Sequence, residues 1–164
     1  MKRELILIRH TKSSWSNLSV SDFDRPLKKD REDDAKNMAR KLKELQLQPD
    51  LIICSPALRI KQTAECFCDI LKYDYSRIQL EKSIYESTEE EILAVIRATD
   101  ANVKALVIIA HNPSLTYFVN NFLSQKIDEL PTTGVVWFEF ENPDWDIYGT
   151  TPYKLRYYLT PKTI

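Results

Sequence analysis

Three runs of consecutive apolar residues predict the strands at the core of the protein. The runs cover residues 5–8, 51–54 and 105–110, and they consist mainly of leucine, isoleucine and valine. Short apolar runs without polar alternation are typical of strands buried on both faces, as in a parallel sheet that helices cover. The pattern therefore predicts buried strands of a parallel sheet.

Apolar residues recur at helical spacing between and after these runs. The pattern predicts helices over about residues 29–47, 55–72, 87–96 and 113–122. Ser55-Pro56 and Asn112-Pro113 each have the form of an N-cap residue followed by proline at the first helical position. The acidic turn 89–91 has two interpretations, helix capping or ligand chemistry, and we favour capping.

The remaining strands are predicted from shorter signals. Residues 78–80 predict a short strand, and the β-rich residues 135–140 and 153–159 predict antiparallel strands that close the sheet, joined by the irregular segment 141–152. We expect one α/β domain over residues 1–164. Its architecture would be a three-layer αβα sandwich, with a mostly parallel central sheet and antiparallel edge strands.

Composition excludes several classes of protein. The 164 residues are 43% hydrophobic and 29% charged, as in an ordinary soluble globular protein. A net charge of -1 gives no reason to expect nucleic acid or an anionic membrane as a partner. The apolar run before Arg9 has only four residues, whereas a signal peptide needs a run of roughly 7–15 and a membrane span roughly 18. We therefore expect a cytoplasmic protein.

Cysteine and glycine content restrict the chemistry further. The chain has an odd number of cysteines without paired spacing, which are Cys54, Cys66 and Cys68. This pattern favours reduced thiols over a disulfide framework. Gly134 and Gly149 are the only glycines, so the chain contains neither a Walker loop nor a dinucleotide fingerprint. Any bound anion must be held by side chains and helix N-termini.

Both histidines of the chain directly follow predicted strands. Arg9 and His10 follow the first strand, His111 follows the third, and Arg59 lies in the first turn of the helix after the second. The carboxyl ends of neighbouring parallel strands share one edge, where ligands bind in open α/β sheets. Two arginines and two histidines there would suit a phosphoryl group, because guanidinium groups can bond two of its oxygens at once.

His10 fits the role of nucleophile at such a site. The neighbouring cations Arg9 and Arg59 would disfavour the imidazolium form and keep the ring neutral. Attack by the ring would give a phosphohistidine that water later hydrolyses. His111, near a helix N-terminus, would donate a hydrogen bond to a phosphoryl oxygen.

The polar segment 11–24 predicts a loop at this edge. Lys12 and Ser13 either line the rim of the phosphate site or are ordinary solvated loop residues. Trp15 either packs over the site or anchors the loop.

Carboxylates in the same loop also have two interpretations. Asp22 and Asp24 either orient Arg25 or the pocket, or they belong to a solvated surface. A metal site built from His10, His111 and such carboxylates is disfavoured, because the adjacent arginines would repel a cation.

Four sequence motifs occur in order along most of the chain. They are R-H-T-K-S-S-W at 9–15, D-F-D-R-P-L at 22–27, S-P-A-L-R-I-K-Q-T-A-E at 55–65 and H-N-P-S-L at 111–115. Together they resemble the histidine phosphatase superfamily, and most closely its SixA-type phosphohistidine phosphatase branch. The resemblance implies a phosphoglycerate-mutase-like fold. It also implies that His10 is the phospho-accepting nucleophile, that Arg9, Arg59 and His111 form the phosphate pocket, and that neither metal nor cofactor is required.

The chain departs from this family pattern at three points. Thr11 replaces the usual glycine after Arg-His, and the glycine usual after Arg-Pro-Leu is absent. Glu86 lies in the stretch expected for a proton donor, but the surrounding pattern of the mutase-like members is missing. An alkoxide leaving group needs such an acid, whereas imidazole, with a free pKa of about 6.5, can be protonated from solvent. The absence of a clear proton-donor pattern therefore favours substrates with N–P bonds over sugar phosphates.

The predicted function is a metal-independent phosphatase that acts through a phosphohistidine on His10. Its substrate would be protein phosphohistidine or a small phosphorylated compound. Two alternatives stay open: a phosphoglycerate-mutase-like phosphotransferase, and a catalytically silent phosphate-binding module, against which the intact His10 argues.

Overall fold

A mixed sheet of six strands forms the centre of the protein in the part that the computed structural model describes, residues 1–149 and 151–164. The strands are β1 (Lys2–Arg9), β2 (Leu51–Cys54), β3 (Gln79–Leu80), β4 (Ala105–Ala110), β5 (Val135–Glu141) and β6 (Tyr153–Leu159). The α-helices are α1 (Glu32–Glu44), α2 (Leu58–Leu71), α3 (Glu89–Arg97) and α4 (Ser114–Asn120). Short 3₁₀ helices cover Lys29–Arg31, Tyr75–Arg77 and Lys82–Ile84.

The strand order β3-β2-β4-β1-β5-β6 places the three predicted apolar strands side by side. β1 pairs with β4 and β4 pairs with β2, both in parallel. β5 and β6 are antiparallel and form one edge of the sheet. The predicted sheet, mostly parallel with antiparallel strands at an edge, is therefore confirmed.

The two faces of the sheet pack against different helices, which gives three layers. Leu5 and Leu7 of β1 are buried in one core with side chains of α3 and α4. Ile6 and Ile8 are buried in the other core with side chains of α1 and α2. Complete burial stabilises each such side chain by about 1.5–3 kcal/mol. Because both faces must be apolar, the strand appears in the sequence as a continuous run.

Helix α1 is shorter than the predicted range 29–47. Its first predicted residues, Lys29–Arg31, form a 3₁₀ turn, and α-helical geometry begins at Glu32. Gln46 adopts a left-handed backbone conformation with φ of 66°, which ends the helix. The predicted apolar stripe of this helix is buried, at Ala35, Met38, Ala39 and Leu42.

Helices α2 and α4 begin later than predicted. Ser55 does not cap α2, since its amide still bonds the carbonyl of Ile109 and the helix begins at Leu58. Asn112 likewise lies before the first turn of α4, although its Oδ1 accepts a hydrogen bond of 3.3 Å from the Thr116 amide. In both places, the contacts of the sheet edge prevail over the local capping signal.

The acidic first turn of α3 takes part in a helix cap, as predicted. Thr88 Oγ1 accepts from the Glu91 amide at 3.3 Å, and Glu91 Oε1 accepts from the Thr88 amide at 3.3 Å. This reciprocal pair is a capping box, which satisfies two backbone donors at the helix start.

The predicted loops and thiols also agree with the structure. Residues 11–24 contain no helix, and an antiparallel bridge between Ser13 and Leu27 holds the loop to the segment that follows it. Residue 150 of the predicted irregular segment 141–152 lies outside the described residues. Cys54 and Cys68 are buried free thiols, while Cys66 is half-buried. Among the described residues, no helix is both long enough and apolar enough to cross a membrane.

Candidate active site

The carboxyl ends of β1, β2 and β4 bring the four predicted side chains to one cavity. Arg9, His10, Arg59 and His111 all line this catalytic cavity, whose volume is about 460 Å³. The two imidazole rings lie edge to face, with their centroids 5.5 Å apart. Other lining residues are Lys12, Ser13, Trp15, Arg25, Asn112 and Thr132.

Backbone hydrogen bonds fix the strand ends that carry these side chains. The His10 amide donates to the Ala110 carbonyl at 3.2 Å, which extends the pairing of β1 and β4 by one step. The Thr133 amide donates to the carbonyls of Arg9 and His10 at 3.0 and 3.1 Å. The catalytic cavity is thus anchored to the most buried part of the sheet.

The surroundings of His10 determine which ring nitrogen carries the hydrogen. Nδ1 lies 2.7 Å from the Thr11 carbonyl oxygen, which can only accept, so Nδ1 is the donor and Nε2 retains a lone pair. Burial lowers the pKa of His10 to about 4; the bond to Thr11 opposes this shift, and the charges of nearby arginines add to it. The ring is therefore neutral at physiological pH, as a nucleophile requires.

His111 has the opposite tautomer. Its Nδ1 lies 3.3 Å from Arg59 Nη2, which can only donate, so Nδ1 accepts. Nε2 then carries the hydrogen and donates to Ser55 Oγ at 2.9 Å. Burial and the neighbouring His10 and Arg59 lower the pKa of His111 to about 3. The predicted donation from His111 to a phosphoryl oxygen would thus require a ring rotation or the uptake of a proton at Nδ1.

Both tautomers can be measured, since the chain has only two histidines. At pH 6, where a free histidine is about three-quarters protonated, we expect both rings to be neutral. The ¹⁵N shifts of the imidazoles should place hydrogen on Nδ1 of His10 and on Nε2 of His111. The His10→Asn variant assigns the signals. A titration midpoint near the free value for either ring would contradict the effect of burial.

Arg25 also belongs to the site, although sequence reasoning gave it a role only as a possible partner of Asp22 and Asp24. The residue is buried and lines the catalytic cavity. Its Nη1 donates to Ser13 Oγ, its Nη2 donates to Asp22 Oδ1 at 2.9 Å, and the ring of Trp15 lies 3.6 Å from Cζ. The bridge between Ser13 and Leu27, together with the contacts of Arg25 to Asp22, brings Arg25 here, and no local pattern reveals these contacts.

Three guanidinium groups carry a buried donor without a partner. Among the described residues, the Nε atoms of Arg9, Arg25 and Arg59 are buried and form no hydrogen bond. An unpartnered buried donor costs about 1–3 kcal/mol, so its presence in a native structure calls for an explanation. These nitrogen atoms are closed off from solvent, but the three guanidinium groups that carry them line one cavity and make it positively charged, which suits an anion there.

Asp22 holds two of these arginines in place. Its carboxylate accepts from Arg25, from Arg59 Nη2 at 3.2 Å and from the hydroxyl of Tyr85 at 2.7 Å. Its carbonyl accepts from Arg59 Nη1 at 2.7 Å. Partial burial alone would raise the pKa of Asp22, but the hydrogen bonds from Arg25 and Tyr85 and the charge of Arg59 lower it well below its usual range.

The other predicted residues divide into two groups. Lys12, Ser13 and Trp15 line the catalytic cavity, and Trp15 packs on the site while remaining 65% exposed. Asp24 instead accepts from the Ser21 hydroxyl at 2.9 Å. Glu86 is exposed and is not part of the cavity lining, so its role as proton donor stays a prediction.

The donor set of the catalytic cavity suits an anion better than a metal ion. Its lining contributes three arginines and one lysine, and the described residues contain no cluster of three or more His, Cys, Asp or Glu side chains that could hold a metal. The arrangement can therefore bind a tetrahedral oxyanion beside a neutral imidazole.

Fold and site together define an α/β protein with an anion site at the carboxyl edge of its sheet. The family model of the histidine phosphatase superfamily, branch 1, matches residues 5–88, just over half of the chain. The chain belongs to this superfamily, as its motifs predicted, and this membership supports a phosphatase activity.

Solved structures share the fold over nearly the whole chain. A SixA, described as a candidate phosphohistidine phosphatase of Agrobacterium tumefaciens, is 23% identical with a TM-score of 0.77, and the match covers 97% of this chain and 99% of that one. The protein histidine phosphatase SixA in complex with tungstate is 21% identical with a TM-score of 0.80, and the match covers 97% of both chains. These likenesses confirm the phosphoglycerate-mutase-like fold.

A curated relative is similar over a shorter stretch. An uncharacterised chloroplastic protein of Arabidopsis thaliana is 48% identical over 63 residues. The match covers 38% of this chain and 29% of the length of that protein.

Proposed function

We propose that the protein is a phosphatase that transfers a phosphoryl group from its substrate to His10 and then to water. The observation that carries the proposal is the convergence of Arg9, Arg25 and Arg59 on the cavity that contains His10, whose neutral ring keeps a lone pair on Nε2. The protein histidine phosphatase SixA, which shares the fold, was solved with tungstate, a tetrahedral oxyanion.

In the first step, Nε2 of neutral His10 attacks phosphorus. The bond between phosphorus and the leaving group breaks, its electron pair goes to the leaving atom, and that atom takes a proton from solvent. The three arginines stabilise the charge on the phosphoryl oxygens, which is the main catalytic contribution a protein makes to this reaction. The hydrogen bond from His10 Nδ1 to Thr11 stabilises the positive charge that the ring gains on attack.

In the second step, water attacks the phosphohistidine. The N–P bond breaks, its electrons return to the imidazole, and inorganic phosphate leaves while the water proton passes to solvent. The low pKa of His10, about 4, makes the ring a good leaving group in its neutral form and returns it ready for the next cycle.

The acids near the cavity favour a substrate with a weakly basic leaving group. Asp22 is ionised and cannot donate a proton, because its pKa is lowered. Burial and the neighbouring Asp22 raise the pKa of Tyr85 to about 12, so it is a poor acid. An imidazole leaving group needs no strong acid near neutral pH, whereas an alkoxide does. We therefore assign phosphohistidine, as it occurs in proteins, as the preferred substrate.

The test is to trap the intermediate. Purified protein is mixed with a radiolabelled phosphohistidine peptide or with 4-nitrophenyl phosphate in the presence of a chelator, and the reaction is quenched within milliseconds. We expect label on the protein that is labile in acid and stable in base, as phosphohistidine is, together with steady release of phosphate. Turnover without a labelled protein, or labelling on any residue other than His10, would overturn the proposal.

Glu86 provides a second check on the substrate. The Glu86→Gln variant is expected to slow the hydrolysis of a phosphomonoester by a few-fold, about as an exposed and loosely placed acid would, and to slow phosphohistidine hydrolysis less. The measurement is kcat/KM for an alkyl phosphate, whose alkoxide leaving group needs an acid, and for a phosphohistidine peptide. Equal slowing of both substrates would count against a protonation role for Glu86.

A further inference from the structure

A second cavity shares a wall with the catalytic cavity. It has a volume of about 450 Å³, and Lys12 and Thr132 line both cavities. The remaining polar lining consists of Arg31, Asp34, Thr160 and Lys162. A ligand whose phosphoryl group lies beside His10 can therefore extend along Lys12 and Thr132 into the second cavity.

The second cavity is a local concentration of positive charge. Three cations, Lys12, Arg31 and Lys162, line it together with one carboxylate, Asp34, which lies 3.8 Å from Arg31. The chain as a whole carries a net charge of -1, so this balance is particular to one edge of the molecule. The proposed phosphatase step does not use Arg31 or Lys162.

Backbone contacts hold the walls of this cavity in place. The Lys12 carbonyl accepts from the Lys28 amide at 2.8 Å, which ties the loop to the segment before α1. At the C-terminus, the Thr163 amide donates to the Thr160 carbonyl at 3.0 Å, and Thr163 Oγ1 accepts from the Thr160 amide at 3.0 Å. The lysine beside this turn is therefore carried on an ordered backbone.

We propose that the second cavity binds an acidic side chain of the protein substrate, close in sequence to its phosphorylated histidine. The proposal rests on the proposed function, which places a phosphohistidine of a polypeptide in the catalytic cavity. A carboxylate of that polypeptide would complement the excess of cations. The exposed ring of Trp15 on the rim offers the same polypeptide an apolar contact.

The experiment uses acetylated heptapeptides that carry one phosphohistidine at the centre. One glutamate is placed one, two or three residues before or after it, and the matched peptide has glutamine at that position. We expect at least one glutamate position to raise kcat/KM about fivefold to tenfold over glutamine at low ionic strength, as two weakly screened ion pairs allow. The ratio of kcat/KM for the glutamate peptide to that for the glutamine peptide should fall in 1 M salt.

Variants then locate the effect. The double variant Arg31→Gln, Lys162→Met should lose the preference for glutamate. The control variant Lys104→Met should keep this preference, because Lys104 is exposed just before β4, at the amino ends of the parallel strands and away from both cavities. The Lys162→Glu variant should reverse the preference, so that a peptide with lysine in place of the favoured glutamate becomes the better substrate.

The outcomes separate this inference from the proposed function. If no peptide and no aryl phosphate is hydrolysed, the proposed function fails. If the peptides are hydrolysed but glutamate and glutamine are equivalent at every position, only the second cavity loses its assignment. A preference for glutamate that survives the double variant unchanged would overturn the assignment as well.

Discussion

Replacing His10 by alanine is expected to lower kcat for 4-nitrophenyl phosphate by about 10³-fold or more, because the covalent route to the product is lost. The ring contributes the lone pair of Nε2, which is available because the hydrogen is on Nδ1, where it bonds the Thr11 carbonyl. The measurement is steady-state hydrolysis with a chelator present throughout, which removes the contribution of contaminating metal-dependent phosphatases.

Binding should survive where catalysis does not. The His10→Asn variant keeps a polar side chain of similar size and leaves the three arginines in place, so it should still bind tungstate with an affinity within a few-fold of the unmodified protein. Loss of hydrolysis with retained tungstate binding is the expected result for a nucleophile. A His10→Ala variant that keeps a tenth or more of the original kcat would show that the ring is not the phospho-acceptor.

The fold was predictable where burial alone decides the residue type. β1, β2 and β4 are covered on both faces, so each appears as an unbroken apolar run. The helix starts were less predictable because tertiary contacts compete with local capping. Ser55 looks like a helix cap in the sequence, yet its hydroxyl accepts from His111, 56 residues away, and its amide continues the strand pairing.

The site was predictable to the extent that it follows from the topology. Arg9, His10 and His111 lie at or just after the carboxyl ends of neighbouring parallel strands, so they had to meet once the strands paired. Arg25 and Tyr85 could not be assigned in this way. Both reach the site through Asp22, and the Tyr85 hydroxyl meets that carboxylate across 63 residues of sequence.

These contacts also explain why so many like charges are tolerated in one place. Arg25 and Arg59 share the carboxylate of Asp22, and Arg9 pairs with Glu129 at 3.1 Å. Each guanidinium is thus held by a carboxylate that partly neutralises its charge. The arrangement keeps the arginines oriented before substrate arrives, which reduces the reorganisation that catalysis would otherwise require.

Arg25→Lys is therefore expected to lower kcat/KM for a phosphohistidine peptide by about 10²-fold, although the charge is conserved. A lysine ammonium has a single nitrogen, so it cannot reproduce the two separate donors, Nη1 to Ser13 and Nη2 to Asp22, that the planar guanidinium provides. It would also lose the flat stacking surface that the guanidinium offers to the ring of Trp15. The loss should be visible in the rate of label transfer to His10, since the arginine acts on the phosphoryl group itself.

Arg40→Lys is the matched control for this substitution. Arg40 is exposed on α1, away from the lining of the catalytic cavity, and its Nη1 donates to Asn37 Oδ1 at 2.9 Å, so kcat/KM should stay within twofold of the unmodified protein. Added guanidinium ion should restore part of the activity to Arg25→Ala and none to His10→Ala, because it can replace a missing donor but not a missing nucleophile. If Arg25→Lys retains more than a third of the original kcat/KM, Arg25 serves to hold the loop and not to bind the phosphoryl group.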